Sequence, residues 1–458
     1  MDNKINILFV AFEFPPLNGG GIQRSLKFVK YLSAFGINPI VITVKEEDGP
    51  LVMKGHANDH SMDNDIPPGT VIERVHCKTQ SAPHNKFQKW ARIYFSVTEV
   101  FKNTWKPALQ EQLPRIIKEY KPQAVYISLP PFAMAPLWLD MMKGYNLPMI
   151  VDFRDAWTQW CLAPNGTYFH YLKKLSYERE IINHATKLVC TSNETRLDML
   201  RVHPSVNADK FSVITNGYDG VLEWDQLKDI PHQGKIRIGY VGSFYYSPEA
   251  RKQIFTAWWK KPLHRMLNYV PRKEDWSYRS PYFFLKTISQ LLLHEPGWKD
   301  RIEIHFAGNK PAWLEAQITD FGLQDLCTHH GYLDHDSALA FQKKCDALLI
   351  TSSRVIGGKD YSIAGKTFEY FTLGRPILAF VCDGAQKNIL TETGMSLLCD
   401  PDNIESSVTA LHNFFSGTIK FSPDKAAIKK YNRKLLTETL STIIKEAISS
   451  HKNSRNNE

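Results

Sequence analysis

A chain of 458 residues with 43% hydrophobic content is longer than one hydrophobic core usually fills, so at least two domains are expected. Its 56 basic and 47 acidic residues leave a formal charge of +9, which suits nucleotide phosphates, anionic lipid or nucleic acid, and the lack of a recognisable nucleic-acid-binding motif argues against the last. No apolar run reaches the length of a membrane span, and seven cysteines without a Cys-x-x-Cys read as reduced thiols of a cytoplasmic protein, with no zinc site expected.

In chain order, Ile5 to Ala11 reads as a buried first strand. A loop with Pro15, Pro16 and Gly19, Gly20 and Gly21 follows. Ile22, Leu26, Val29 and Leu32 then form one helical stripe, and Pro39 to Val44 is the next strand. This βαβ unit demands a parallel sheet. Further strands are expected at 71–75, 124–128, 149–153, 188–191 and 211–214. Phe87, Trp90, Tyr94, Val97, Phe101 and Trp105 share a helical stripe beside lysines and Arg92. That face could lie on an anionic bilayer or pack in a core. The polar stretch from Asn216 to Gly234 reads as a hinge. A second series of strands begins at Ile236 and continues through 302–307, 346–351 and 377–381.

The spacing thus predicts an α/β chain of two doubly wound, Rossmann-like domains, whose strand carboxyl ends would face each other across a cleft. The expected boundaries are 1–218 and 219–423, followed by a helix and polar tail over 424–458. In the first domain, Gly19, Gly20 and Gly21 form a candidate phosphate or acceptor loop. In the second, the Gly242–Ser243 turn and a helix starting near Gly365 are the candidate ligand wall. Glycine there lets an anion approach the helix N-terminus, Lys366 adds charge, and Glu369 could accept bonds from two hydroxyls. A phosphate next to a diol describes a nucleotide. An ordinary crossover helix with a solvated Lys and Glu is the competing reading.

Asp152 and Asp155 lie at a strand end pointing to the same cleft. Either carboxylate could move a proton or steady positive charge on a bound ligand; a helix cap and local ion pair is the alternative. Three Asp-x-Asp triplets, at Asp63, Asp334 and Asp400, read as structural, so no metal is expected.

The ordered pieces resemble a GT-B glycosyltransferase, closest to the retaining glycosyltransferase family 4. They are the Pro-Pro-x-x-Gly-Gly-Gly loop, 152–157 (Asp-Phe-Arg-Asp-Ala-Trp), 215–219, 240–244, 306–308 and 330–332. The resemblance implies transfer of a sugar from a nucleotide diphosphate sugar, with retention, to a saccharide or lipid-linked acceptor in cell-surface polysaccharide assembly. It implies no cofactor, and a protein that could sit peripherally on the inner face of the plasma membrane. It places Glu369 on the ribose, Gly365 and Lys366 beside the diphosphate, Thr367 among the donor-binding residues, and Asp152 and Asp155 near the acceptor. The first glutamate of the family's paired motif would fall at Tyr361, so that motif is incomplete. A nucleotide-sugar epimerase or phosphorylase, or a non-catalytic sugar-nucleotide-binding protein, is the alternative. The stretch from Ser243 to Arg279 is far longer than the usual connection of about 4–6 residues. The insert over about 247–278 could cap the donor site, touch a membrane, contact a partner or form an extra packed helical pair. Arg251, Lys252 and Arg279 are its candidates for pairing a diphosphate.

Overall fold

The computed structural model describes residues 4–53, 56–79, 85, 100–160, 164–231 and 233–456. Two compact units divide the chain. The first takes in Met1–Asn216, Trp258–Pro271 and Arg433–Glu458; the second takes in Gly217–Ala257 and Arg272–Asn432.

The first unit is built on seven parallel strands: β1 (Ile5–Val10), β2 (Ile37–Val44), β3 (Val71–Val75), β4 (Ala124–Leu129), β5 (Met149–Phe153), β6 (Lys187–Cys190) and β7 (Phe211–Val213). Their spatial order is β3-β2-β1-β4-β5-β6-β7. Both faces of this sheet are covered, which is why its strands read as continuous apolar runs. On β1, Ile7 and Phe9 join one cluster while Leu8 and Val10 join another. Helix α1 (Ile22–Leu32) buries Ile22, Leu26, Val29 and Leu32, the stripe expected from sequence. The other helices of this unit used below are α2 (Tyr168–His184) and α3 (Asn193–Val202).

The second unit has six parallel strands: β8 (Ile236–Val241), β10 (Ile302–Ala307), β11 (Cys327–His329), β12 (Ala347–Thr351), β14 (Ile377–Phe380) and β15 (Ser396–Cys399), in the order β11-β10-β8-β12-β14-β15. The short antiparallel pair β9 (Glu274–Asp275) and β13 (Arg354–Val355) stands apart. Its helices include α4 (Pro248–Phe255), α5 (His335–Lys344), α6 (Gly365–Leu373) and α7 (Ala385–Thr393). The last long helix, α8 (Arg433–Asn456), returns to the first unit, where Leu440, Ile443, Ile444 and Ala447 pack with Leu26, Val29 and Leu32 of α1.

In both units the strand order runs outward in both directions from the first strand. That reversal opens a crevice at the strand carboxyl ends, between β1 and β4 and between β8 and β12. The proposed membrane stripe fares differently. Phe87, Trp90, Tyr94 and Val97 lie outside the described residues, as does Cys161. Phe101 and Trp105 are core: their rings lie 4.8 and 5.0 Å from that of Phe12. The remaining six cysteines are free thiols, four of them buried.

Candidate nucleotide and acceptor sites

In the second unit, β8 is followed directly by Gly242, held at φ +109°. The Gly242 N–H donates to the Ala307 carbonyl at 2.8 Å, and the Gly308 N–H donates to that of Gly331 at 2.7 Å. A Cβ on Gly308, at φ +135°, would collide with the Gly242 carbonyl. Glycine at both positions therefore lets two strand-end turns close onto each other.

Helix α6 starts beside this turn. A Cβ at Gly242 would come 3.3 Å from the Lys366 Nζ, so the structure brings these two expected residues together. The ammonium lies 3.6 Å from the centroid of the Tyr240 ring, which stacks on Phe244 at 3.8 Å. Burial pulls the Lys366 ammonium down to about 7, partly offset by the Glu369 carboxylate one turn away. A cation held on an aromatic face, short of water and at a helix N-terminus, is prepared to meet an anion. Gly365 is exposed, with open space where a side chain would stand. Glu369 is half-buried and Ser243 exposed. Tyr240 was not expected from sequence; its only signal was its place before the Val-Gly-Ser turn.

Thr367 departs from expectation. Its hydroxyl is buried and donates to Gln386 Oε1 at 3.1 Å, the same oxygen that accepts the Ala364 N–H at 2.8 Å. Gln386, on α7, thereby caps the first turn of α6, so Thr367 holds the helix start in place of contacting a ligand.

Two insert cations are also committed elsewhere. Arg251 makes a two-pronged pair with Asp275 at 2.6 and 2.7 Å. Arg279 pairs with the buried Glu274 at 2.7 Å and donates to Ser362 Oγ at 3.0 Å. Together with the β9–β13 pairing, these bonds fix residues 352–362, which lead into α6. Tyr361 is buried, with the Arg272 guanidinium 5.9 Å from its ring centroid. Lys252 stays exposed.

In the first unit, Asp152 is fully buried at the end of β5. Its two oxygens accept Arg24 Nε at 2.8 Å and Nη2 at 2.9 Å, and the Tyr126 hydroxyl adds a bond of 2.6 Å. This corrects the expectation that Asp152 faces a ligand: the carboxylate is consumed in tying α1 to β4 and β5. Asp155 is half-buried, two residues past the strand. Between them, Arg154 donates to the Glu13 carboxylate at 3.1 Å and to the Leu129 carbonyl at 3.2 Å. Its guanidinium fills the space where a Cβ on Gly21 would stand, which explains glycine there. Gly19, at φ +152°, packs against the His56 ring, and Gly20 faces open space.

The Asp-x-Asp triplets are structural. Asp65 binds Lys27 and Lys30, Asp334 caps α5, and Asp402 pairs with Arg354 at 2.6 Å. Among the described residues no group of three or more His, Cys, Asp or Glu could hold a metal ion.

The fold is shared with known proteins. Residues 19–220 match Glycosyltransferase Family 4. The fold is similar to that of sucrose-phosphate synthase from Thermosynechococcus elongatus: TM-score 0.59, 12% identity, 98% of this chain and 100% of that one covered. It is also similar to apo lipopolysaccharide outer core galactosyltransferase WaaB, with TM-score 0.57, 12% identity and coverage of 96% and 99%. Anabaena HepE, solved with UDP and glucose, follows at TM-score 0.52 and 12% identity, with coverage of 98% and 99%. No curated protein sequence matches the chain. The chain has the GT-B fold of these proteins, and its residues 19–220 match the model of Glycosyltransferase Family 4.

Proposed function

We propose that the protein transfers a sugar from a nucleotide diphosphate sugar to a hydroxyl acceptor, with retention of configuration, in the assembly of a cell-surface polysaccharide. The observation that carries this reading is the Lys366 ammonium, desolvated on Tyr240 at the N-terminus of α6 and against the Gly242 turn. A diphosphate there would meet a helix dipole, backbone N–H groups and one cation, with the Glu369 carboxylate a turn away for the ribose diol. HepE was solved with UDP and glucose, and WaaB acts on lipopolysaccharide outer core, which supports the donor class and the setting.

In the transfer, the bond from the sugar's anomeric carbon to the diphosphate breaks, and a bond to the acceptor oxygen forms. Lys366 and the helix N-terminus stabilise the charge that develops on the leaving diphosphate. We assign Asp155 to the acceptor, to receive the hydroxyl proton or steady the sugar's positive charge. We assign the Gly19–Gly21 loop and the first unit to the acceptor, a free or lipid-linked saccharide at the cytoplasmic face of the membrane. The reaction uses neither metal nor cofactor on this reading.

A thermal-shift panel of nucleotide sugars tests the donor class, since a ligand bound only by the folded state raises its melting point. A matching donor should stabilise the protein, and its turnover should survive EDTA. Loss of turnover with EDTA, restored by manganese or magnesium, would overturn the metal-free chemistry.

A further inference from the structure

Residues 164–177 and 258–271, both part of the first unit, are joined at Tyr269. The Asn165 N–H donates to the Tyr269 carbonyl at 2.8 Å, and the Tyr269 N–H donates back to that of Asn165 at 2.9 Å. The Tyr269 ring lies 4.9 Å from Tyr168 and 4.8 Å from Tyr171. The tip of the long insert is therefore docked on the start of α2.

What these segments show to solvent is unusual. Trp258 and Trp259 are 62% and 63% exposed, Leu263 85%, and Phe169 79%; Leu267 and Leu172 are exposed as well. Single exposed apolar residues need no explanation, but several large ones on two joined segments do. Neither segment contains an aspartate or glutamate, whereas Lys173, Lys174, Lys260, Lys261 and Arg265 lie within them.

We propose that this surface docks on an anionic phospholipid bilayer, with Trp258, Trp259, Leu263 and Phe169 entering the interface. Three features favour lipid over protein. Tryptophan, with an apolar body and a polar N–H, suits the headgroup boundary. Lysine is depleted in protein interfaces, yet it is the commonest basic residue here. An acid-free basic rim complements a negatively charged leaflet without requiring any fixed partner geometry. These exposed residues are distinct from the core residues Phe101 and Trp105, and none belongs to the nucleotide site, so vesicle binding and nucleotide binding can fail separately.

The experiment is flotation of the full chain with phosphatidylglycerol-containing vesicles and with pure phosphatidylcholine vesicles, at low and high salt. The parent should float with the anionic vesicles, and less so as salt rises. A Trp258→Ala/Trp259→Ala variant should lose about tenfold in partitioning. Lys260→Glu/Lys261→Glu should lose the preference for anionic lipid. Both variants should keep the parent's melting point and nucleoside diphosphate affinity, which certifies their fold. Failure of the parent to float would overturn the proposal, as would tryptophan variants that float as well as it does. So would a dimer in sedimentation that dissociates on the tryptophan substitutions, because a second copy would then be the occupant.

Discussion

Lys366 carries its charge where hydration is poor. Its pKa falls from an ordinary lysine value to about 7 in the fold, so the unfolded chain binds the proton more tightly. The cost of holding the ammonium is full below about pH 7 and is relieved as pH rises toward the unfolded value. Lys366→Met should therefore raise the melting temperature of the ligand-free protein, more at pH 6 than at pH 9, while weakening nucleotide binding. In the parent, affinity for a nucleoside diphosphate should fall as pH rises from 7 to 9, because binding must recover the proton; this dependence should vanish in the variant. Titration calorimetry across that range reads both, and a pH-independent affinity in the parent would contradict the assignment of the charge. The two aspartates separate in a similar way. Asp152→Ala leaves Arg24 buried without its partner and should cost about 3–5 kcal/mol, seen as a large drop in melting temperature. Asp155→Asn should spare nucleoside diphosphate binding and reduce transfer. Sequence showed both acids at a strand end but not this division, because the partner that claims Asp152 is Arg24, on a helix near the start of the chain.

At the scale of elements, glycines set where backbones can meet. Gly308→Ala would drive a methyl into the Gly242 carbonyl from a backbone angle that disfavours any side chain, so it should destabilise the second unit and blunt nucleotide binding together. Gly365→Ala meets no neighbour, so its melting temperature should stay near the parent's while affinity alone declines. If both variants behave alike in melting and binding, the distinction drawn here between a packing glycine and an access glycine is wrong. Strands with long apolar runs, such as β1, β2, β8 and β10, were legible in sequence to within a few residues. The three-residue β11, Cys327–His329, was not, because so short a run has no readable period. Thr367 was expected at the donor only from the resemblance, and the contact that claims it, with Gln386 on α7, is tertiary and has no signal in local sequence.

Across the whole molecule, the alternation of strands and helices was enough to anticipate two parallel, doubly wound sheets, and the structure has both. The positions of Gly242, Gly365, Lys366 and Glu369, at a strand end and in the first turns of a helix, were legible because glycine turns and helix starts have local sequence signals. The aromatic floor under Lys366 was hidden, because Tyr240 reads as one more apolar strand residue. The insert's length was plain in sequence, but not that its tip, residues 258–271, belongs to the first unit.

The central claim is that α6 holds a nucleoside diphosphate through Lys366 and Glu369. Calorimetry with the nucleoside diphosphate of the donor found in the thermal-shift panel, on parent and Glu369→Ala, tests it most directly. Losing a charged acceptor for two ribose hydroxyls should cost about 1.5–3 kcal/mol, a weakening of about tenfold or more. A Glu369→Ala protein that binds the nucleotide as tightly as the parent would contradict the account.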